Sequence, residues 1–240
     1  MNPSPKCYFV SDLHLLASRS NGHEYFDQIL EKAGSAEAFV LGGDIFDFRW
    51  SRMNTVGHAV DAAAHWLADL ASQCPSCQFH FLLGNHDYHA PFIERLVDLE
   101  RDIPNFAWER FYIRLGNSVC LHGDVADRKM DAEELAERRE RMLHKRKRGE
   151  VLNSLYELAI NTNLHRPIPY VAYGRRLVAR RISSYLRHIG QGPEQGVRNI
   201  YFGHTHIPLA NYHYKGLTFH NSGASIRGVK FQILPVETAG

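Results

Sequence analysis

Five short apolar runs in this chain each end in a cluster of carboxylate, amide or imidazole side chains. The clusters are SDLH (11–14), GGDIFD (42–47), GNHD (84–87), LHGD (121–124) and GHTH (203–206). Turn chemistry accounts for Gly, Asn and Asp where a strand ends, but it gives no reason for repeated histidine. The chain therefore requires a fold that brings several strand ends to one place.

The order of the predicted elements supplies such a fold. Short apolar runs predict buried strands at 7–10, 38–42, 79–84, 118–123, 199–203 and 231–236. Helical patterns at 24–34 and 59–72 alternate with the first strands, which predicts βαβ units and a mainly parallel sheet. Loops at the carboxyl ends of such strands converge on one crevice. We therefore expect the polar clusters to form one pocket.

The pattern changes after Asp124. Helical patterns follow at 130–148, 150–160 and 173–190. The last carries an apolar stripe that includes Val178, Ile182 and Leu186, which fits either a cap or ordinary core packing. We expect a core formed by residues 1–124 and 199–240, with residues 125–198 inserted as a helical cap.

Charge is concentrated in that insertion. Residues 125–190 contain 15 Lys or Arg and 8 Asp or Glu, whereas the other residues contain 13 basic and 18 acidic groups. The net charge of the whole chain is only +2, so the total says little about partners. A basic segment on an acidic body predicts an anionic partner near the insertion. A solvated helix end would also explain part of the run HKRKRGE (144–150).

Several other classes of protein are disfavoured. No segment reaches 18 apolar residues, and the N-terminal stretch MNPSPKCYFVSDLH has no apolar signal-peptide core, so we expect a cytoplasmic protein. Cys74 and Cys77 form a lone CxxC, which we interpret as two ordinary reduced thiols.

The donor types in the clusters point to metal chemistry. Carboxylate, imidazole and amide oxygen together suit Mn²⁺, Fe²⁺ or Zn²⁺, and the absence of thiolate from the set disfavours a structural zinc. Asp12 and His14, like His204 and His206, are two residues apart and can point the same way. The donors outnumber what one catalytic ion uses. Two ions bridged by a carboxylate would use them and would suit phosphoryl transfer.

The ordered set D-x-H, G-D-x-x-D, G-N-H-D, H and G-H-x-H, from Asp12 to His206, resembles the calcineurin-like metallophosphoesterase superfamily. The resemblance implies an α+β fold, a four-layer αββα sandwich. It also implies two metal ions, for which we expect Mn²⁺, with Fe²⁺ or Zn²⁺ as alternatives. The implied ligands are Asp12, His14 and His206 for one ion, Asn85, His122 and His204 for the other, and Asp44 as the bridge.

The same resemblance implies two catalytic residues that do not bind metal. His86 would face the substrate and donate a proton or hydrogen bond to the leaving oxygen, and Asp47 would orient it. Asp87 we interpret as a cap for the helix or turn that follows. Phe48 follows Asp47 where phosphoprotein phosphatases of the superfamily have Arg-Gly, which disfavours a phosphoprotein substrate.

The helical insertion between LHGD and GHTH resembles that of UDP-2,3-diacylglucosamine pyrophosphatase, a family of lipid A synthesis. This resemblance implies hydrolysis of the pyrophosphate bond of a nucleotide-linked lipid. The implied phosphate-binding residues are Arg49, Arg128, Lys129 and Arg175. The implied lipid channel is lined by Leu152, Leu155, Tyr156 and Tyr170. The sequence departs from the best-known branch of that family at His86, where that branch has Arg.

Three alternatives stay open at this point. The substrate could be a soluble or cyclic nucleotide, or a nucleic acid, although no basic strand interleaved with aromatic residues favours nucleic acid. The protein could be a scaffold that binds metal without catalysis. The basic cap could also make peripheral contact with the inner face of the membrane.

Overall fold

The structure is a computed structural model that describes residues 7–143 and 174–238. Its strands form two five-stranded sheets. The first sheet has the order β10-β1-β2-β3-β4 and contains β1 (Cys7–Val10), β2 (Ala38–Gly42), β3 (Gln78–Leu82), β4 (Phe106–Glu109) and β10 (Leu234–Pro235). The second has the order β5-β6-β7-β9-β8 and contains β5 (Tyr112–Leu115), β6 (Ser118–Leu121), β7 (Asn199–Phe202), β8 (Leu209–Tyr214) and β9 (Leu217–Asn221).

The described helices are α1 (Phe26–Gly34), α2 (Val56–Gln73), α3 (Ala90–Asp102), α4 (Ala132–Glu140) and α5 (Arg175–His188). Short 3₁₀ turns lie at Gly22–Tyr25, Asp124–Ala126 and Pro193–Gln195. Helix α4 begins where it does because Asp131 and Glu134 form a reciprocal capping box, in which each side chain accepts from the other's backbone N–H. No helix among the described residues is long and apolar enough to cross a membrane.

The strands at the centre of the molecule are buried on both faces. In β1, Val10 packs with the core beneath the helices, whereas Phe9 packs into the layer between the two sheets. The same alternation places Leu41 and Val40 of β2 on opposite faces. Because both faces are covered, these strands read as continuous apolar runs, which is why the sequence identifies them.

The arrangement confirms the predicted αββα sandwich. Residues of α1, α2 and α3 pack on the first sheet. Residues of α5 pack on the second sheet. Side chains from both sheets, among them Phe9, Cys120 and Tyr201, fill the space between them. Each sheet has a parallel part, which consists of β1, β2, β3 and β4 in one sheet and of β6, β7 and β9 in the other.

Helix α5 lies with the sandwich and not apart from it. Val178, Ile182, Tyr185 and Leu186 are buried with residues of the second sheet, so the stripe noted in the sequence is core packing. The helix therefore forms the outer layer over that sheet. The division of the chain at 124 and 199 stays a prediction. The predicted helix at 150–160 and the four lipid-channel candidates lie outside the described residues.

Some elements have weak sequence signals. The predicted strand at 231–236 is reduced to the two residues of β10, which pairs antiparallel with β1 at the edge of the first sheet. Strands β4, β5 and β8 went unpredicted because they are edge strands with exposed positions. Strand β9 lies inside the second sheet between β7 and β8 and also went unpredicted.

Candidate metal centre

The polar clusters meet at the carboxyl ends of the parallel strands. Asp12 follows β1, Asp44 follows β2, Asn85 comes shortly after β3, His122 follows β6, and His204 comes shortly after β7. The first three come from one sheet and the last two from the other. The site is therefore assembled across the line where the two sheets pack together.

The backbone of these loops is strained. Five of the seven predicted ligands have a left-handed backbone: Asp12 (φ 53°), His14 (φ 49°), Asp44 (φ 52°), His204 (φ 64°) and His206 (φ 56°). This conformation is uncommon for residues other than glycine and costs on the order of 1–3 kcal/mol at each position. Such strain persists where the surrounding structure enforces it, and it turns these side chains toward one point.

The first donor group contains Asp12, His14 and His206. One ligand atom from each lies within 4.8 Å of the others. The Nε2 atoms of His14 and His206 are 3.1 Å apart, and Nε2 of His206 is 3.3 Å from Oδ1 of Asp12. Two imidazole nitrogens and a carboxylate oxygen aimed at one point suit a divalent cation of borderline hardness.

The second donor group contains Asp44, His122 and His204, again with ligand atoms within 4.8 Å of one another. Asn85 completes it, because its Oδ1 is 3.2 Å from Nε2 of His122 and 2.9 Å from Nδ1 of His204. Nδ1 of His122 lies 3.3 Å from the carbonyl oxygen of Gly42, which leaves Nε2 to face Asp44 at 3.3 Å. That arrangement is the usual way in which a protein orients a ligating histidine.

Asp44 is common to both sides of the site. It groups with His122 and His204 on one side, and with His14 and His86 on the other. The proximity of His86 to Asp44 does not require His86 to be a metal ligand. Its Nδ1 lies 3.0 Å from Oδ2 of Asp47, so Asp47 already occupies that nitrogen. The donor set therefore fits two cations that share the Asp44 carboxylate.

Two glycines allow the carboxylates to sit against the backbone. A Cβ at Gly84 would lie 2.1 Å from Oδ1 of Asp44, and a Cβ at Gly203 would lie 2.0 Å from Oδ2 of Asp12. The backbone N–H of His86 donates to Asp44 at 2.7 Å, and that of His204 donates to Asp12 at 2.9 Å. Gly84 and Gly203 are required because a side chain at either position would collide with a carboxylate. The GNHD loop thus binds the carboxylate of Asp44, and the GHTH loop binds the carboxylate of Asp12.

The electrostatics of the site keep the carboxylates charged. Burial alone would raise the pKa of Asp44, but the neighbouring His122 and His86 hold it well below its usual range. Burial likewise opposes charge on His122, yet Asp44 raises the pKa of that imidazole to about 9. Burial and the adjacent guanidinium of Arg19 lower the pKa of His14 to about 4. The negative charge of the buried carboxylates is thus balanced by neighbouring imidazolium groups, and a bound cation would supply the same kind of positive charge.

A second network lies behind His86. Asp47 is fully buried, and its Oδ2 is 3.0 Å from His86 and accepts a hydrogen bond of 3.0 Å from Arg19. Its Oδ1 accepts from the backbone N–H of Trp50 at 3.0 Å. Burial opposes the charged imidazole, but Asp47 and Asp44 raise the pKa of His86. The geometry therefore favours a charged His86, and Arg19 is a member of the network that sequence reasoning missed.

Asp124 and Asp87, two carboxylates of the clusters, turn away from the donor groups. Both Asp124 oxygens accept from the buried guanidinium of Arg139, at 2.7 and 3.0 Å, which lowers the pKa of Asp124 to about 2 against the effect of burial. Arg139 also donates to the carbonyl oxygens of Leu83 and Gly84. Arg139 went unnoticed because its run, ERRER, has the composition of a solvated helix.

The prediction that Asp87 caps a helix is wrong for α3. That helix has His89 at its N-cap, without a capping side-chain bond. Asp87 instead accepts from the backbone N–H groups of Gly84 at 2.5 Å and Ile45 at 3.0 Å. Burial and the charge of Asp44 raise its pKa to about 7. Asp87 thus ties the GNHD loop to the GGDIFD loop.

The predicted substrate-binding residues lie at different distances from the centre. Arg49 lines a pocket together with Phe48, Asn85, His86 and His89. Arg128 and Lys129 are exposed on the turn that follows Asp127. Arg175 is exposed at the first position of α5. Arg49 therefore shares a pocket with candidate metal and catalytic residues.

Comparisons with known proteins agree with this geometry. The profile of the family described as calcineurin-like phosphoesterase matches residues 5–208. The chain therefore belongs to this family of metal-dependent phosphoesterases. Its site, with two donor groups around a shared carboxylate, is a candidate dimetal centre.

Curated relatives are more distant. A UDP-2,3-diacylglucosamine hydrolase from Histophilus somni is 27% identical over 121 residues, which is 48% of this chain and 50% of that protein. Enzymes of the same name from Actinobacillus succinogenes and Pasteurella multocida are 32% and 33% identical over 84 and 87 residues, which is 35% of this chain and 34% of each relative. The chain thus spans between a third and a half of these relatives.

Among solved structures, a dimetal phosphatase from Danio rerio is similar to this chain at 13% sequence identity. The alignment covers 92% of this chain and 87% of that one, with a TM-score of 0.44.

The buried ion pair of Arg139 generates a stability prediction. Replacing Arg139 by Met leaves Asp124 charged and unpaired in the interior, which should lower the free energy of unfolding by about 3–5 kcal/mol. Arg141→Met is the matched control, because Arg141 is 63% exposed and its Glu137 partner is 4.0 Å away. The control should change stability by less than about 0.5 kcal/mol. Urea denaturation measures both, and equal effects of the two substitutions would contradict the assignment.

Proposed function

We propose that this phosphoesterase uses two divalent ions, with Mn²⁺ as the preferred metal and Fe²⁺ or Zn²⁺ as alternatives, to hydrolyse a phosphorus anhydride or ester. The observation that carries the proposal is that Asp44 groups with His122 and His204 and also with His14, with ligand atoms within 4.8 Å in each group. His14 in turn groups with Asp12 and His206. Carboxylate, imidazole and amide oxygen donors, without thiolate, match such ions.

Each donor group has a proposed role. Asp12, His14 and His206 would hold one ion, and Asn85, His122 and His204 would hold the other, with Asp44 shared. When bound, such a pair of ions lowers the pKa of an attacking water and stabilises charge on the attacking and leaving oxygens. The strained left-handed backbone at five of these residues supports the assignment, because strain of this kind concentrates at functional sites.

His86 is the proposed acid. Its side chain is 21% exposed and lines the open pocket, while Nδ1 faces the buried Asp47 carboxylate at 3.0 Å. Asp47 in turn is held by Arg19 and by the backbone of Trp50. Asp47 therefore keeps the imidazole charged and oriented, so that it can donate a proton or hydrogen bond to the oxygen that leaves phosphorus.

For the substrate, we propose a nucleotide-linked lipid resembling UDP-2,3-diacylglucosamine, cleaved at its pyrophosphate bond. Similarity to three enzymes named UDP-2,3-diacylglucosamine hydrolase supports this choice. Arg49 lines the same pocket as His86 and would bind a phosphate oxygen there. Arg128, Lys129 and Arg175 would form a basic rim for the remaining negative charge and for peripheral contact with an anionic membrane surface on the cytoplasmic side.

A soluble nucleotide ester is the second candidate. His86 stands where the best-known lipid-cleaving branch has Arg, so the chain departs from that branch at the residue proposed to act on the leaving oxygen. The relative rates at which the enzyme hydrolyses the two kinds of substrate decide between them.

The substrate proposal predicts the result of a panel assay with Mn²⁺. The enzyme should cleave UDP-2,3-diacylglucosamine faster than bis-p-nitrophenyl phosphate, cAMP, UDP-sugars or oligonucleotides. Asp44→Asn should lower every rate by about 10²-fold or more, since metal-based charge stabilisation is worth several kcal/mol and about 1.4 kcal/mol is tenfold in rate. Asp102→Asn, at an exposed carboxylate on α3, is the control. If a soluble ester is hydrolysed faster than UDP-2,3-diacylglucosamine, the proposed lipid substrate is wrong. Unchanged rates in Asp44→Asn would refute the dimetal mechanism.

The role of His86 is tested separately. His86→Ala should lower kcat by about 10²-fold or more while two metal ions per chain remain bound, because a positioned general acid contributes that much. His65→Ala removes an exposed histidine of α2 and should leave kcat unchanged. Metal content measured by mass spectrometry accompanies the kinetics. Loss of an ion in His86→Ala would mean that His86 is a ligand.

A further inference from the structure

Both ring nitrogens of His204 have close polar neighbours. Nδ1 is 2.9 Å from Oδ1 of Asn85, and Nε2 is 2.7 Å from Oδ1 of Asp127. Asn85 and His204 belong to the same proposed donor group, so Nδ1 is the nitrogen that faces the ion. Nε2 must then carry the proton, which it donates to the Asp127 carboxylate.

Asp127 is held in place from three directions. It follows the 3₁₀ turn Asp124–Ala126, and its backbone N–H donates to the carbonyl oxygen of Asp124 at 3.2 Å. The side chain forms an ion pair with Arg138 of α4. The same turn is anchored to α5, since Arg181 donates to the carbonyl oxygen of Ala126 at 2.5 Å. The carboxylate is about a quarter exposed, so it is neither a loose surface group nor part of the apolar core.

We propose that Asp127 is a positioning residue for the second metal ion, acting through His204, with Arg138 holding Asp127 in turn. This inference rests on the proposed dimetal function. A carboxylate on the outer nitrogen fixes the tautomer and the orientation of the ring, and it increases the basicity of the ligating nitrogen. The proposed ligands His122 and His204 are thus supported differently, since Nδ1 of His122 faces a backbone carbonyl oxygen.

The contact between Asp127 and His204 connects the metal site to the segment that follows β6. Asp127 and Arg138 both belong to the segment 125–198 that the sequence predicts as an insertion. Arg139, the next residue on α4, donates to Gly84 beside Asn85. Two adjacent arginines of one helix therefore support His204 and Asn85, which are both proposed ligands of the same ion.

Metal titration tests the proposal without relying on catalysis. Chelator-treated full-length protein is titrated with Mn²⁺ in a calorimeter. The wild-type protein should bind two ions per chain. Asp127→Asn should bind one ion as the wild type does and the other about 10–100-fold more weakly. The physical reason is that an amide can donate to Nε2 and leave the proton on Nδ1, where it blocks the ligand nitrogen.

Glu137→Gln is the matched control, because it removes an exposed carboxylate from the same helix without touching the site. Both affinities should be unchanged in this variant. Arg138→Gln keeps Asp127 but removes the ion pair that holds it. This substitution should lower the Mn²⁺ affinity of one site by less than Asp127→Asn does. If Asp127→Asn does not fold, as judged by circular dichroism, Arg138→Gln decides the question, and two unchanged affinities there would overturn the proposal.

The outcomes separate this inference from the proposed function. Two Mn²⁺ ions bound to Asp127→Asn within twofold of the wild-type affinities would overturn the role of Asp127 and leave the dimetal centre standing. A wild-type protein that binds fewer than two ions would overturn both.

Discussion

The shared carboxylate of Asp44 is the interaction on which the site depends. It is buried at the line where the sheets meet, accepts from the backbone N–H of His86, and faces His122 from the opposite sheet. The first sheet contributes both carboxylates and Asn85, whereas the second contributes three of the histidines. Neither sheet alone holds a complete proposed donor group, so the candidate site exists only where the two sheets pack together. Burying this negative charge is tolerable only because cationic groups surround it.

Helix α4 links that centre to the rest of the chain. Arg139 is buried although it is a long charged residue, and it satisfies Asp124 together with two backbone carbonyl groups before Asn85. Arg138 reaches Asp127 on the neighbouring turn. The sequence of α4 resembles that of an ordinary solvated helix, but two of its arginines stabilise the loops that carry the proposed metal ligands. A change in the position of α4 would therefore alter the surroundings of both Asn85 and His204.

Much of this centre is predictable from the sequence, and the reason is topological. Asp12, Asp44, Asn85, His122 and His204 each follow a buried run, and parallel strands bring their carboxyl ends to one edge. The supporting residues are different. Arg19, Arg139 and Asp127 have no periodicity and no motif, because their roles arise from tertiary contacts between distant segments. The stripe on α5 predicted burial but not the surface that buries it, since periodicity identifies a face and not its partner. The assignments of ligands, and the division into core and cap, stay predictions.

Anomalous diffraction from crystals soaked in Mn²⁺ would show directly whether two ions share the Asp44 carboxylate. We expect two anomalous peaks about 3.5–4 Å apart, as in known two-metal sites. The Asp44 carboxylate should lie between them, with Asp12 beside one peak and Asn85 beside the other. A single peak, or two peaks that do not share Asp44, would contradict a dimetal centre bridged by this carboxylate.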